Sequence, residues 1–388
     1  MPPAGGSFPD MSGRHAVNHQ RVRIERSHHL NFPRAFHVRL PAYAPTPLLE
    51  APDLAAELGV ASLWVKDESR RFQMHGYELL GTAWALYREV LGRLMRRVRW
   101  DSIDELVEKI APVGELRIVV VSDNHFGVAA ARAAQLLGYA CAAYVPAECS
   151  PGRLRLLAAE GAEVVAVPGG YDAALAAAAR DTGDHTVVLS DSSWPEYEEL
   201  PGWVTEGYTT IFEEAVDEME RRGAGAPDAV FVPLGVGALA ACAGDHFRVE
   251  KFPEELALVG VEPTDASCFV ESCIAGRRVA MPHAAPSVMD GLARGLPSPL
   301  AWDVVSTTFD AFLAIDDARA QQAVAHLEAA GVIASPAGAA ALGGLVELRQ
   351  LGATVTGPGA SADEALAVAA LVPATAAVLV VVTEAPVG

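Results

Sequence analysis

An α/β fold built on open, mostly parallel sheets is what this sequence predicts, on three observations. Short apolar runs at residues 116–121, 140–145, 162–167 and 186–189 alternate with helical stretches of about 10 to 12 residues, the pattern of successive βαβ units. The 388 residues are 51% hydrophobic, enough to close two lobes or one large unit. Several strands run out into loops of Gly, Ser and Asn, as at Ser122 and Gly235, where open α/β sheets collect ligands.

Taken in order, residues 1–44 are polar and basic with little periodicity and read as an N-terminal arm over a neighbouring surface. Pro45-Thr46-Pro47-Leu48-Leu49 is a rigid extended entry, residues 51–58 have helical spacing stopped by Gly59, and Ser62-Leu63-Trp64-Val65-Lys66 is a strand leading into Asp67-Glu68-Ser69. A helix is expected from Gly76 to Leu94, then a short amphipathic insert at 100–110. Strand 116–121, loop 122–126, helix 128–137, strand 140–145, helix 149–160, strand 162–167, an Ala-rich helix at 171–182 and strand 186–189 follow. Residues 194–203 read as an aromatic and acidic loop, and 206–223 as one long helix. Strand 229–233 delivers Gly235-Val236-Gly237-Ala238 to helix 239–247, with strand 257–261 and helix 266–275 beyond. Residues 280–299 are irregular, 318–330 and 336–352 helical, 352–371 a loop and then a helix, and 376–383 a strand buried on both faces.

A net charge of −20 argues against a nucleic-acid partner, whose affinity comes largely from Lys and Arg on phosphates; a small-molecule substrate is expected instead. Cys141, Cys149, Cys242, Cys268 and Cys273 lack metal-ligand spacing, so no metal site is expected, and an odd count suits a reducing compartment. The first thirty residues lack the apolar segment of a signal peptide, and the run 376–382 is far shorter than the roughly 20 residues of a spanning helix. A cytoplasmic protein with no membrane partner is expected. Its only lysines are Lys66, Lys109 and Lys251.

Gly235-Val236-Gly237-Ala238, between strand and helix, can turn backbone N–H groups toward an anion such as a phosphate, or can be turn residues only. Ser122-Asp123-Asn124-His125 ends a strand at the carboxyl edge, as a ligand loop or as a plain helix cap. Thr383-Glu384 also ends a strand. Together with Pro45-Thr46-Pro47-Leu48, Val65-Lys66-Asp67-Glu68-Ser69, Trp194-Pro195-Glu196-Tyr197, Pro201-Gly202-Trp203, Glu206-Gly207-Tyr208, Val261-Glu262-Pro263 and Gly291-Leu292-Ala293, these segments carry a resemblance. The chain resembles the fold type II pyridoxal-phosphate-dependent family, and within it the diaminopropionate ammonia-lyases, over roughly residues 45–385.

That resemblance implies a tryptophan synthase β-like architecture: two sheets with a cleft between domains, a large one from 45–84 and 194–388, a small one at 85–193, and a homodimer. It implies that Gly235, Gly237 and Ala238 hold the cofactor phosphate, that Asn124 bonds the ring's phenolic oxygen, and that Thr383 approaches the ring nitrogen. It also locates a departure. The family's imine-forming lysine follows an aromatic residue and stands two positions before Leu-Gly; here that pair is Tyr77-Glu78, before Leu80-Gly81. A carboxylate cannot form an imine. The acid expected in the asparagine loop is shifted or lost, and Pro336 intrudes into the Ser-Gly loop Ser335-Pro336-Ala337-Gly338.

Three readings follow. In the first, Glu78, with Tyr77 and His75 beside it, serves as acid and base in a lyase, isomerase or cyclase acting on a small amino-acid-derived substrate, its pKa raised by burial. That enzyme is independent of pyridoxal phosphate, or binds pyridoxal phosphate or another phosphate-bearing ligand noncovalently. In the second, the protein is an inactive homologue serving as a binding or partner subunit. In the third it is an ammonia-lyase using an unrecognised lysine. Arg71, His75 and Arg294 are candidates for a substrate carboxylate, each with a structural alternative.

Overall fold

In a computed structural model, which describes residues 14–18, 32–122, 124–248, 252–281, 287–353, 367 and 370–386, the chain forms two sheets. The strands are β1 (His15–Val17), β2 (Leu48–Glu50), β3 (Ser62–Asp67), β4 (Arg117–Val121), β5 (Ala140–Pro146), β6 (Ala162–Val167), β7 (Thr186–Leu189), β8 (Ala229–Pro233), β9 (Ala257–Pro263), β10 (Ala311–Ile315) and β11 (Ala377–Val382). The larger sheet has the order β1-β10-β9-β8-β11-β3-β2, and the smaller β6-β5-β4-β7. Only the two outer strands of the large sheet run antiparallel to their neighbours; every other pairing is parallel.

Burial explains the strand order. Every residue of β8, β9 and β10 is buried, as befits central strands covered by helices on both faces, whereas edge strand β6 leaves Glu163 exposed. Parallel register pairs Val382 with Asp67, so that Thr383 leaves the sheet beside Glu68, whose N–H donates to the Val382 carbonyl at 2.8 Å. Behind this edge lies a closed ionic cluster. Lys66 Nζ donates to Glu214 at 2.7 Å, Arg71 donates to Glu214 at 2.6 Å and to Glu68, and none of the four side chains is more than 2% exposed. Breaking such a buried set by removing one partner costs about 3–5 kcal/mol.

Most elements lie where periodicity places them; three stretches do not. Two pieces of the N-terminal arm take regular structure, β1 against β10 and a helix at Phe32–His37. The expected loop 194–203 gives way to a helix at Glu199–Gly207, and the long helix beyond it begins anew as Thr209–Arg221. Gly207 is where helix Glu199–Gly207 crosses helix Leu79–Leu94: a Cβ there would stand 2.5 Å from the Leu80 carbonyl oxygen. Helix Pro299–Thr308 and β10 occupy a stretch for which the sequence reading gave no element. The expected loop and helix at 352–371 lie almost wholly outside the described residues, as do Asp123 and Lys251. No helix among the described residues is long and apolar enough to cross a membrane.

Candidate active site

The carboxyl ends of four parallel strands, two from each sheet, meet at one cavity. β4 delivers Asn124, β7 Asp191, β8 Gly235 to Ala238, and β11 Thr383 and Glu384. This is where open α/β sheets present loops and helix starts to ligands. About 650 Å³ of empty space, part of it open to solvent, lies among these residues, with Tyr77, Glu78, His125, Tyr208 and Arg294 also in the lining.

The Gly-rich turn has an anion cup's conformation. Gly237 takes φ 99° and caps helix Ala238–Phe247, directing its first N–H groups outward. Only glycine suits the position, because a Cβ would stand 2.5 Å from Cζ of Phe269. A Cβ on Gly235 would reach the Gly291 carbonyl oxygen at 3.3 Å and Cγ of Arg294 at 3.8 Å, so the aliphatic stem of Arg294 passes beside the turn. Asn124 caps helix His125–Leu136: its Oδ1 accepts from Phe126 N–H at 3.0 Å and from the Ser122 hydroxyl at 2.6 Å, leaving its amide nitrogen for the cavity.

Glu78 precedes the first residue of helix Leu79–Leu94 with φ −62°, ψ −21°, and its side chain makes no capping bond. It folds back over Gly76, where a Cβ would stand 2.4 Å from its Oε2 and 3.1 Å from Nδ1 of His125. Gly76 bridges to Glu384 and brings a second carboxylate alongside. Glu384 Oε2 lies 3.5 Å from His125 Nδ1, and its Oε1 accepts from the Ser335 hydroxyl at 2.5 Å. Ligand atoms of Glu78, His125 and Glu384 lie within 4.8 Å of one another, a spacing that a cation would accept. The Glu78 carboxyl opens onto the cavity yet is enclosed by protein, and it is pushed up to about 7. Removal from water is the main cause; His125 acts against the rise, and Glu384 and Asp191 add to it. Burial likewise raises the Asp191 carboxyl, with Arg294 opposing, and raises the Tyr77 phenol well above its usual value. The Tyr77 ring stands edge-on to Tyr208 at 4.8 Å.

The structure thus gathers Glu78, Tyr77, Asn124, Gly235, Gly237, Ala238 and Thr383 into one lining. His75 is not part of it: this residue is exposed, its ring centroid 6.4 Å from that of His125. Arg71 belongs to the buried ionic cluster, whereas Arg294 does line the cavity. Sequence reasoning gave no role to Asp191, Tyr208 or Glu384. Asp191 carried a usable signal, since it follows β7 as Asn124 follows β4.

Two sheets converging on such a cavity define an α/β protein of small-molecule chemistry. The family model described as pyridoxal-phosphate dependent enzyme matches residues 39–358. The chain is 30% identical over 288 residues to the diaminopropionate ammonia-lyase of Escherichia coli K12, covering 74% of this chain and 72% of that protein. It is 31% identical over 297 residues to the diaminopropionate ammonia-lyase of Salmonella typhimurium LT2, with the same two coverages. The crystal structure of holo diaminopropionate ammonia lyase from Escherichia coli superposes with a TM-score of 0.84 at 27% identity, covering 98% of this chain and 95% of that one. The chain belongs to the pyridoxal-phosphate-dependent enzyme family and is a diaminopropionate ammonia-lyase-like member of it.

Family membership implies pyridoxal phosphate, and the residues present suit only part of it. The turn at Gly235 to Ala238, the amide of Asn124 and Thr383 suit the phosphate and the ring. The aldehyde end is not suited, because no lysine lines the cavity among the described residues. Lys66 is 1% exposed and bound to Glu214, and Lys109 pairs with Glu105 on helix Ile103–Ile110.

Proposed function

We propose that this protein is a cytoplasmic lyase-type enzyme acting on a small amino-acid-derived substrate without a lysine-bound cofactor, with Glu78 as its proton donor and acceptor. The observation that carries this reading is Glu78 itself: a cavity-lining carboxyl brought to about 7, with ligand atoms of His125 and Glu384 within 4.8 Å of its own. A group that is half ionised near neutral pH can take a proton in one step and return it in the next. Elimination, isomerisation and cyclisation all need such a couple. Tyr77, whose phenol stays protonated, is placed to donate a hydrogen bond to the reacting molecule. The intact glycine turn favours a noncovalently held phosphate-bearing ligand over an empty cup.

Borohydride treatment followed by mass spectrometry tests the absence of an imine; a phosphopyridoxyl group on any lysine would overturn the reading. For the acid–base role, Glu78→Gln should lower turnover by about 10²–10⁴-fold, the usual contribution of a positioned proton-transfer group. Unchanged turnover would remove Glu78 from the chemistry. On the family resemblance we also read the protein as a homodimer, to be checked by light scattering against a chain mass of 40.7 kDa.

A further inference from the structure

We propose that the cavity selects a phosphorylated primary amine of the pyridoxamine 5′-phosphate type over the corresponding aldehyde, with the phosphate in the Gly235 to Ala238 turn and the protonated amine on Glu78. This rests on the reading that no lysine holds a cofactor here. It does not require Glu78 to turn over any substrate.

The charge layout of the lining carries the inference. Three carboxyl side chains, Glu78, Asp191 and Glu384, face the cavity, with Arg294 as its only arginine and no lysine among the described residues. Two of the three acids stand together beside His125, and Arg294 passes beside the glycine turn. The cavity therefore has an N–H-rich side at the turn and an acceptor-rich side at Glu78. A phosphomonoester suits the first. At the second, an aldehyde oxygen offers only lone pairs to carboxylate oxygens and finds no amine to capture it. A primary ammonium offers three N–H donors to the same oxygens. Gly76 and Gly291 keep that side open: a Cβ on Gly76 would strike Glu78 Oε2 at 2.4 Å, and one on Gly291 would press on Glu384 Oε2 at 3.2 Å. Asn124, with its oxygen already committed to Phe126 and Ser122, can present only its N–H groups to a ring hydroxyl between the two ends.

Titration calorimetry on the full chain at pH 8, with pyridoxamine 5′-phosphate, pyridoxal 5′-phosphate and inorganic phosphate as probes, tests this. Pyridoxamine phosphate is expected to bind at least about tenfold more tightly than either of the others. Glu78→Gln should cost it about 10- to 100-fold, the range for losing a charge-assisted hydrogen bond, while leaving inorganic phosphate unchanged. Glu78→Lys should instead take up pyridoxal phosphate as a borohydride-reducible adduct on position 78, which checks that the turn and the ring site are in place. Pyridoxal phosphate binding as tightly as the amine, an amine affinity indifferent to Glu78→Gln, or no binding of the amine would each overturn the proposal. The catalytic reading fails separately, by retained turnover in Glu78→Gln, so the two failures are distinguishable.

Discussion

Replacing Glu78 by glutamine should make the protein more stable at pH 8 and leave it nearly unchanged below pH 4.5. The Glu78 carboxyl moves from its ordinary 4.5 to about 7 in the folded chain, chiefly because enclosure strips it of water. At about 1.4 kcal/mol per tenfold change in acidity, an ionised Glu78 therefore carries a penalty of roughly 3 kcal/mol. Below 4.5 the group is protonated in folded and unfolded chains alike and no penalty exists. Between 4.5 and 7 the folded chain binds the proton more tightly than the unfolded one, so stability falls as pH rises, and above 7 the full penalty is present. Glutamine keeps the shape and never ionises. Urea unfolding of parent and variant side by side at pH 4.5, 6 and 8 should show a difference in favour of Glu78→Gln that grows with pH toward about 3 kcal/mol. A difference that is flat with pH, or that favours the parent as pH rises, would refute the claim that Glu78 is held out of water.

Neighbouring groups give further tests. Glu384→Gln should lower the Glu78 pKa and His125→Ala should raise it, followed by carbon NMR of labelled glutamate, because the first removes a like charge and the second a group that opposes the rise. Chelation with EDTA should leave the unfolding midpoint and ligand affinity unchanged if Glu78, His125 and Glu384 hold no cation; a clear shift would assign the cluster to one. Gly207→Ala should destabilise by about 1–3 kcal/mol in urea unfolding, since the new Cβ meets the Leu80 carbonyl at 2.5 Å and must push away the helix Leu79–Leu94. Lys66→Ala should cost about 3–5 kcal/mol by the same measurement, by leaving Glu214 and its partners a buried charge short.

The central strands and the glycine turn were legible because local signals mark them: a run of buried β-formers such as 229–233, and glycines where strand passes into helix. The break at Tyr208 was not, because apolar spacing continues across it and the reason for the break lies in another helix, where the Leu80 carbonyl demands Gly207. The strand at Ala311–Ile315 is a five-residue apolar run without flanking glycine or proline, a pattern that helix and strand share. Within the site, position 78 could be located from its neighbours in sequence. Its real companions are 47 and 306 residues away, His125 and Glu384, and only folding brings them within 3.5 Å of each other. His75, three residues from Glu78, faces outward instead.

Position 78 also stands at the start of a helix, immediately before Leu79. Aligned peptide dipoles make that end of a helix electropositive, favouring an anion there by about 0.3–1 kcal/mol and opposing a cation by a similar amount. The backbone thus welcomes the acid that the chain carries, independently of any chemistry in the cavity. It also means that a lysine restored at this position would be pressed to give up its proton, and an uncharged amine is the form that attacks an aldehyde. The same local field therefore acts on either occupant of the position, offsetting a small part of the cost of ionising Glu78 in one case and pressing an amine toward its nucleophilic form in the other.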